Sequence, residues 1–113
     1  MTAAGKSRQI ARLRLLADML LEARLTALQA AAAARAASLD RLADLERAAP
    51  ATDLPDIAAA EVGMRYQRWA DQRRAELNLT LARQTAAWIE ARQAAAQAFG
   101  RSQALRGLAD KAG

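Results

Sequence analysis

The 113-residue chain contains no cysteine and no histidine. Without cysteine there are no disulfides and no thiolate metal sites. Without histidine the commonest general base and the commonest metal ligand are both missing. Proline occurs twice and glycine five times, and β-branched residues are few, which argues against sheets and turn-rich folds. Long apolar runs are absent as well. The longest uncharged run of the first half, Leu25 to Ala34, is far below the roughly 20 residues of a membrane span. Near the start Arg12, Arg14 and Asp18 interrupt the apolar residues, so no signal-peptide core forms there. The Arg-rich, acid-poor opening (Lys6, Arg8, Arg12, Arg14) imitates an organellar transit peptide, but its apolar spacing continues unbroken into the following turns. The expected location is cytoplasmic.

What is present is alanine, leucine, arginine, glutamine and glutamate, the composition of long helices and coiled coils. Alanine makes up much of the apolar fraction, so a thin seam between helices is expected rather than a thick core. The aromatic residues organise the second half. Tyr66, Leu77, Trp88 and Phe99 recur every eleven positions, about 3.67 residues per turn, which keeps them on one face of a helix with slight right-handed winding. A strand cannot produce that spacing. In the first half, Ile10, Leu13, Ala17, Leu21, Leu25, Leu28, Ala32, Leu39 and Leu42 follow steps of three and four. Leu15, Leu16, Met19 and Leu20 widen that stripe.

Between the two stripes lies Ala49-Pro50-Ala51-Thr52-Asp53-Leu54-Pro55, with both prolines of the chain. Residues before proline are biased away from helix, Asp53 is a good N-cap, and Pro55 and Asp56 suit a first turn. A connection this short implies an antiparallel pair. The expectation is therefore an all-α chain: one coiled-coil hairpin with helix 1 over about 7–49, a turn at 50–54, and helix 2 over about 55–99. Gly100 weakens the helix; either Ser102 recaps a short C-terminal helix, or helix 2 runs on to about residue 110. Pairing residues whose numbers total about 104, as a tight hairpin requires, sets Trp69 against Ala30 to Ala37 and Trp88 against Leu16. Both tryptophans then lie in the seam.

Charge is unevenly distributed. Between Asp40 and Glu61 the acids Asp40, Asp44, Glu46, Asp53, Asp56 and Glu61 face only Arg41 and Arg47. Lys6, Arg8, Arg12 and Arg14 lie near one terminus and Arg92, Arg101, Arg106 and Lys111 near the other. A hairpin would thus have an acidic tip and a basic open end.

Catalysis finds little purchase. There is no Gly-rich phosphate loop, no metal-ligand cluster, and no nucleophile beside a base. Glu61, Asp71, Glu76 and Glu90 read as isolated, solvated carboxylates. Asn78-Leu79-Thr80 matches the glycosylation sequon by chance, mid-helix. No enzyme activity, no cofactor and no small-molecule substrate are expected. The basic open end could neutralise phosphates, but the aromatics are accounted for by the seam and leave none to stack on bases, which disfavours nucleic acid. A two-helix pair has little core of its own, and this points to self-association through Leu15, Leu16 and Leu20.

Three stretches carry a family likeness: Arg65 to Trp69, Leu77-Asn78-Leu79-Thr80-Leu81-Ala82, and Ala98-Phe99-Gly100-Arg101 with Ala104-Leu105. Together with the basic, cysteine- and histidine-free helical hairpin, the chain resembles FliJ and its type III secretion relatives. The resemblance is one of architecture and composition across most of the chain. It implies a stalk and chaperone-escort protein of the flagellar type, peripheral to a membrane-embedded export apparatus, that binds and stimulates the export ATPase ring. The export gate and its chaperones are further implied partners. The partner-binding residues expected on this reading are Arg8, Arg12, Arg14, Phe99, Arg101 and Arg106, at the end bearing both termini. A generic helical adaptor or scaffold, and then a basic nucleic-acid-binding rod, are the alternatives.

Overall fold

The computed structural model describes residues 2–48 and 55–112. These form two helices and no strand: α1, Ala3–Arg47, and α2, Asp56–Ala112. The chain is all-α, with the helices paired antiparallel, as the patterning requires. The turn expected at 50–54 and the cap expected of Asp53 lie outside the described residues.

The helix ends have local causes. α1 begins ahead of Ser7 because Thr2 caps it: the Gly5 N–H donates to Thr2 Oγ1 at 3.1 Å and the Lys6 N–H to the Thr2 carbonyl at 3.1 Å. A threonine there satisfies N–H groups that would otherwise have no partner, so the helix starts at Ala3 rather than near residue 7. At α2 the Pro55 carbonyl accepts the first helical bond, from the Ala59 N–H at 2.8 Å, and Asp56 occupies the positive end of the dipole. α2 continues through Gly100 and Gly107 without a break. A Cβ at either position would meet nothing within 4 Å, so no close packing demands glycine there.

Two compact units make up the chain: Met1–Ala32 with Ala87–Gly113, and Ala33–Ala86. In the second unit Leu45, Ala70 and Leu77 form a buried cluster, with Leu42 and Tyr66 packed against it. The Tyr66 hydroxyl donates to the Ala48 carbonyl at 2.7 Å, tying the end of α1 to α2. Arg35 Nε donates to Thr85 Oγ1 at 3.1 Å. Arg74 forks between Glu46 of α1 (2.6 Å) and Asp71 (2.8 Å), and its guanidinium is held further above its ordinary value by the hydrogen bond to Glu46 first and that to Asp71 second.

In the first unit the buried residues are Ala95, Ala98 and Ser102. Ser102, 1% exposed, donates to Asp18 Oδ1 at 2.5 Å. Ile10, Ala17, Leu21, Leu28, Trp88, Ala91 and Leu105 are half-buried beside them.

Two expectations about packing are corrected. Within each unit, cross-helix partners (Asp18 with Ser102; Arg35 with Thr85, Glu46 with Arg74) have numbers totalling about 120 rather than 104. The smaller total assumed that pairing begins at the proline segment. Instead α1 ends level with about Arg73, and the first turns of α2 extend past it. Trp69 is consequently 55% exposed, stacked at 5.7 Å on Tyr66 and not opposite the alanine run. Trp88 comes level with Ala31 and Ala32, not Leu16, and only Trp88 of the two tryptophans is half-buried.

The second correction concerns the eleven-residue line. Covered positions of α2 step by seven: Ala70, Leu77 and Gln84 in the second unit; Ala91, Ala98 and Leu105 in the first, with Trp88, Ala95, Ser102 and Ala109 between. Leu77 and Trp88 satisfy both spacings, but Phe99 is 53% exposed. The close approach at Ala95, Ala98 and Ser102 leaves no room for its ring. A seven-residue repeat goes with left-handed rather than right-handed winding. In α1 the same closeness admits Arg14, Arg35 and Ser38 to covered positions, while Leu13, Leu25 and Leu39 stay exposed.

Candidate partner-binding surface

All six residues expected to bind a partner belong to the first unit. Arg8 and Arg12, one turn apart on α1, are exposed. Arg14 is half-buried, beside Ile10 and Asp18 in a cleft closed by Ala109 and Ala112 of α2. Arg106 is directed to Asp18 at 3.8 Å, so part of its charge is already answered. Asp18 thus receives both Ser102 and Arg106, and it fixes the rotation of α2 at that level.

Phe99 and Arg101 do not act side by side. Around a helix, positions two apart differ by about 200°, and here each sits on its own side of the seam. Phe99 lines one cleft with Leu21, Leu25, Leu28 and Ile89. Arg101 lines another with Leu13, Leu16, Leu20, Leu105 and Leu108. On the first of these flanks Arg92 lies over the Trp88 ring, 4.9 Å from its centroid, a cation–π contact that occupies one of the basic residues.

The exposed leucines are the larger feature, and the charged residues singled out from sequence miss most of it. Leu13 is 52% exposed, Leu16 60%, Leu15 62%, Met19 57% and Leu108 51%. Sequence gave one signal for them: four apolar residues, Leu15, Leu16, Met19 and Leu20, lie outside a stripe already wide enough for one partner helix. Leu105 and Leu108 carried no such signal, since they fit a core position as well as a surface one.

The charge of this unit is lopsided. It carries nine Lys and Arg against four Asp and Glu, whereas the second unit carries eight of each, so the whole net charge of +5 belongs to the first. The second unit therefore has no net acidity, because Arg65, Arg68, Arg73, Arg74 and Arg83 offset the acids expected to form a negative tip. Among the described residues no group of three or more His, Cys, Asp or Glu could hold a metal ion, and no helix is long and apolar enough to cross a membrane. No family model matches this chain, and no curated protein or solved structure matches it.

Proposed function

We propose that the chain is a binding protein rather than a catalyst, and that its first unit engages a protein surface of acidic or polar character. The observation that carries this reading is the coincidence, in one unit, of the whole net positive charge with a set of large apolar residues left outside the seam. Basic residues around an apolar patch raise the association rate with an acidic partner and penalise basic ones. The specific form we put forward is a stalk or escort of a flagellar-type export apparatus that binds and stimulates the export ATPase ring. The antiparallel helical pair, the basic unit bearing both termini, and the resemblance in architecture and composition support it. A helical adaptor for other protein partners is the second reading, favoured by the exposed leucines, which a purely electrostatic fit to a ring does not need.

The test is stimulation of a purified export ATPase at low salt by the full chain. Reversing Arg8, Arg12 and Arg101 to Glu removes it, with helicity unchanged because all three side chains are exposed. Reversing Asp40 and Asp44 in the second unit has far less effect. A wild-type chain that neither binds nor stimulates the ring at low salt sinks the stalk reading and leaves the adaptor.

A further inference from the structure

From the leucine-lined cleft that carries Arg101, we infer that the first unit seats a short amphipathic helix with acidic flanks, contributed by a protein partner. The inference deepens the binding role proposed above and rests on it; it does not depend on the ATPase.

The cleft runs between α1 and α2. Leu13, Leu16 and Leu20 form one wall and Leu105 and Leu108 the other, with Arg101 at the lip. The α1 wall spans about two helical turns, the length over which an incoming helix presents anchors at i, i+3 or i+4, and i+7, and the α2 wall faces about one of them. The leucines stand open: Leu13, Leu16, Leu20 and Leu108 are 52, 60, 36 and 51% exposed. Among the described residues nothing larger than serine is buried in the seam beneath them, where Ala95, Ala98 and Ser102 close the approach. The bulk that a helix pair normally turns inward is here displaced to its side, and a third helix laid in the cleft would cover it.

Charge selects among possible occupants. A second copy laid on this unit would set five net positive charges against five, a repulsion that weakens association. A flat anionic lipid surface matches the charge but touches only the rims of a cleft between two cylinders. A helix with carboxylates beside its apolar stripe matches both, with Arg101 placed to meet a carboxylate at the edge. Such a carboxylate would find few competitors, since of the four acids in this unit Asp18 is already engaged by Ser102 and Arg106.

The probe is a fluorescent peptide of about 18 residues with Leu at helical anchor spacing and Glu on its flanks, compared with twins carrying Gln or Lys in place of Glu. Titrated with the full chain at low salt, the Glu peptide binds about tenfold more tightly than the Gln twin, and the Lys twin binds more weakly than both. Its affinity falls as salt is raised. Leu16→Ser and Leu108→Ser each weaken it by about tenfold at unchanged helicity, while Phe99→Ser, on the opposite flank, leaves it within about twofold. Arg101→Glu narrows the preference for the Glu peptide over the Lys twin, and because it removes no packing it serves even where a leucine variant unfolds. Equal binding of the Glu and Lys peptides, or no binding of either, overturns the proposal. So does a stable dimer in sedimentation that Leu16→Ser dissociates, or binding to vesicles of anionic lipid that the same substitution abolishes. Peptide binding without ATPase stimulation would sink only the stalk reading; stimulation without peptide binding sinks only the cleft.

Discussion

The two units use the same helix pairing to opposite ends. In the second, Leu45 and Leu77 are buried at 8 and 5% exposure, Tyr66 ties α2 to the end of α1, and Arg74 bridges to Glu46. Acids and bases balance. In the first, no described residue larger than serine is fully covered, Leu13, Leu15, Leu16, Leu20 and Leu108 lie outside the seam, and bases outnumber acids nine to four. Burial stabilises only what it covers. The second unit therefore covers two of its leucines while Ile57, Met64, Trp69 and Leu79 stay exposed, and the first presents more of its bulk, and all of the net charge, outward.

The largest expected effect tests that contrast directly. Leu77→Ala or Leu45→Ala in the second unit should cost about 3 kcal/mol, the range for a buried leucine that leaves a cavity. Leu16→Ala or Leu108→Ala in the first should cost less than about 1 kcal/mol, as for surface positions. Urea denaturation of the full chain reads both. A first-unit leucine as costly as Leu77 would break the comparison, since that leucine would then be covered in solution.

Next in size is Trp88, half-buried beneath Arg92. Trp88→Ala should cost about 2 kcal/mol, short of the 3–5 of a fully enclosed ring, because part of the indole is already wet. Asp18→Ala should follow at about 1–2 kcal/mol, since it strands the Ser102 hydroxyl, 1% exposed, without its acceptor. Adding Ser102→Ala to Asp18→Ala should recover part of that loss, and a double-mutant cycle measures how much. Full additivity of the two would show that the hydroxyl has another acceptor.

The contrast also marks how far sequence reading reached. Helix type, number and antiparallel pairing were legible, because composition, a three-and-four stripe, an eleven-residue line and a double-proline break all agree. Register and seam were not. Tyr66, Leu77, Trp88 and Phe99 share an eleven-residue spacing, yet the covered set follows Ala91, Ala98 and Leu105 because alanine permits the closer approach. Hydrophobicity ranks Phe99 above Ala98, but packing distance reverses the order. Arg14, Arg35 and Ser38 were invisible as seam residues for the same reason: a thin seam admits small groups and long side chains whose charged ends reach water. Of the candidate site, the charged side chains were legible and the cleft was not, since Leu13 and Leu105 read equally well as core.

The smallest effect concerns the charges that hold the second unit. Arg74 Nε meets Glu46 at 2.6 Å and Nη1 meets Asp71 at 2.8 Å, and both carboxylates are 60% exposed. Exposed pairs are weakened by solvent and salt, so Glu46→Gln should lower the melting midpoint slightly at low salt and not at all at high salt. Arg74→Lys separates charge from geometry: it keeps the cation but loses the planar fork that serves two carboxylates at once. Its loss should persist where that of Glu46→Gln has vanished. The pH dependence is equally specific. Because the folded state raises the guanidinium pKa, this contribution is present in full below the ordinary arginine value and is lost only as pH climbs through the raised one. Across the neutral range it should therefore be flat. An Arg74→Lys loss that vanishes at high salt together with that of Glu46→Gln would show that the fork contributes nothing beyond its charge.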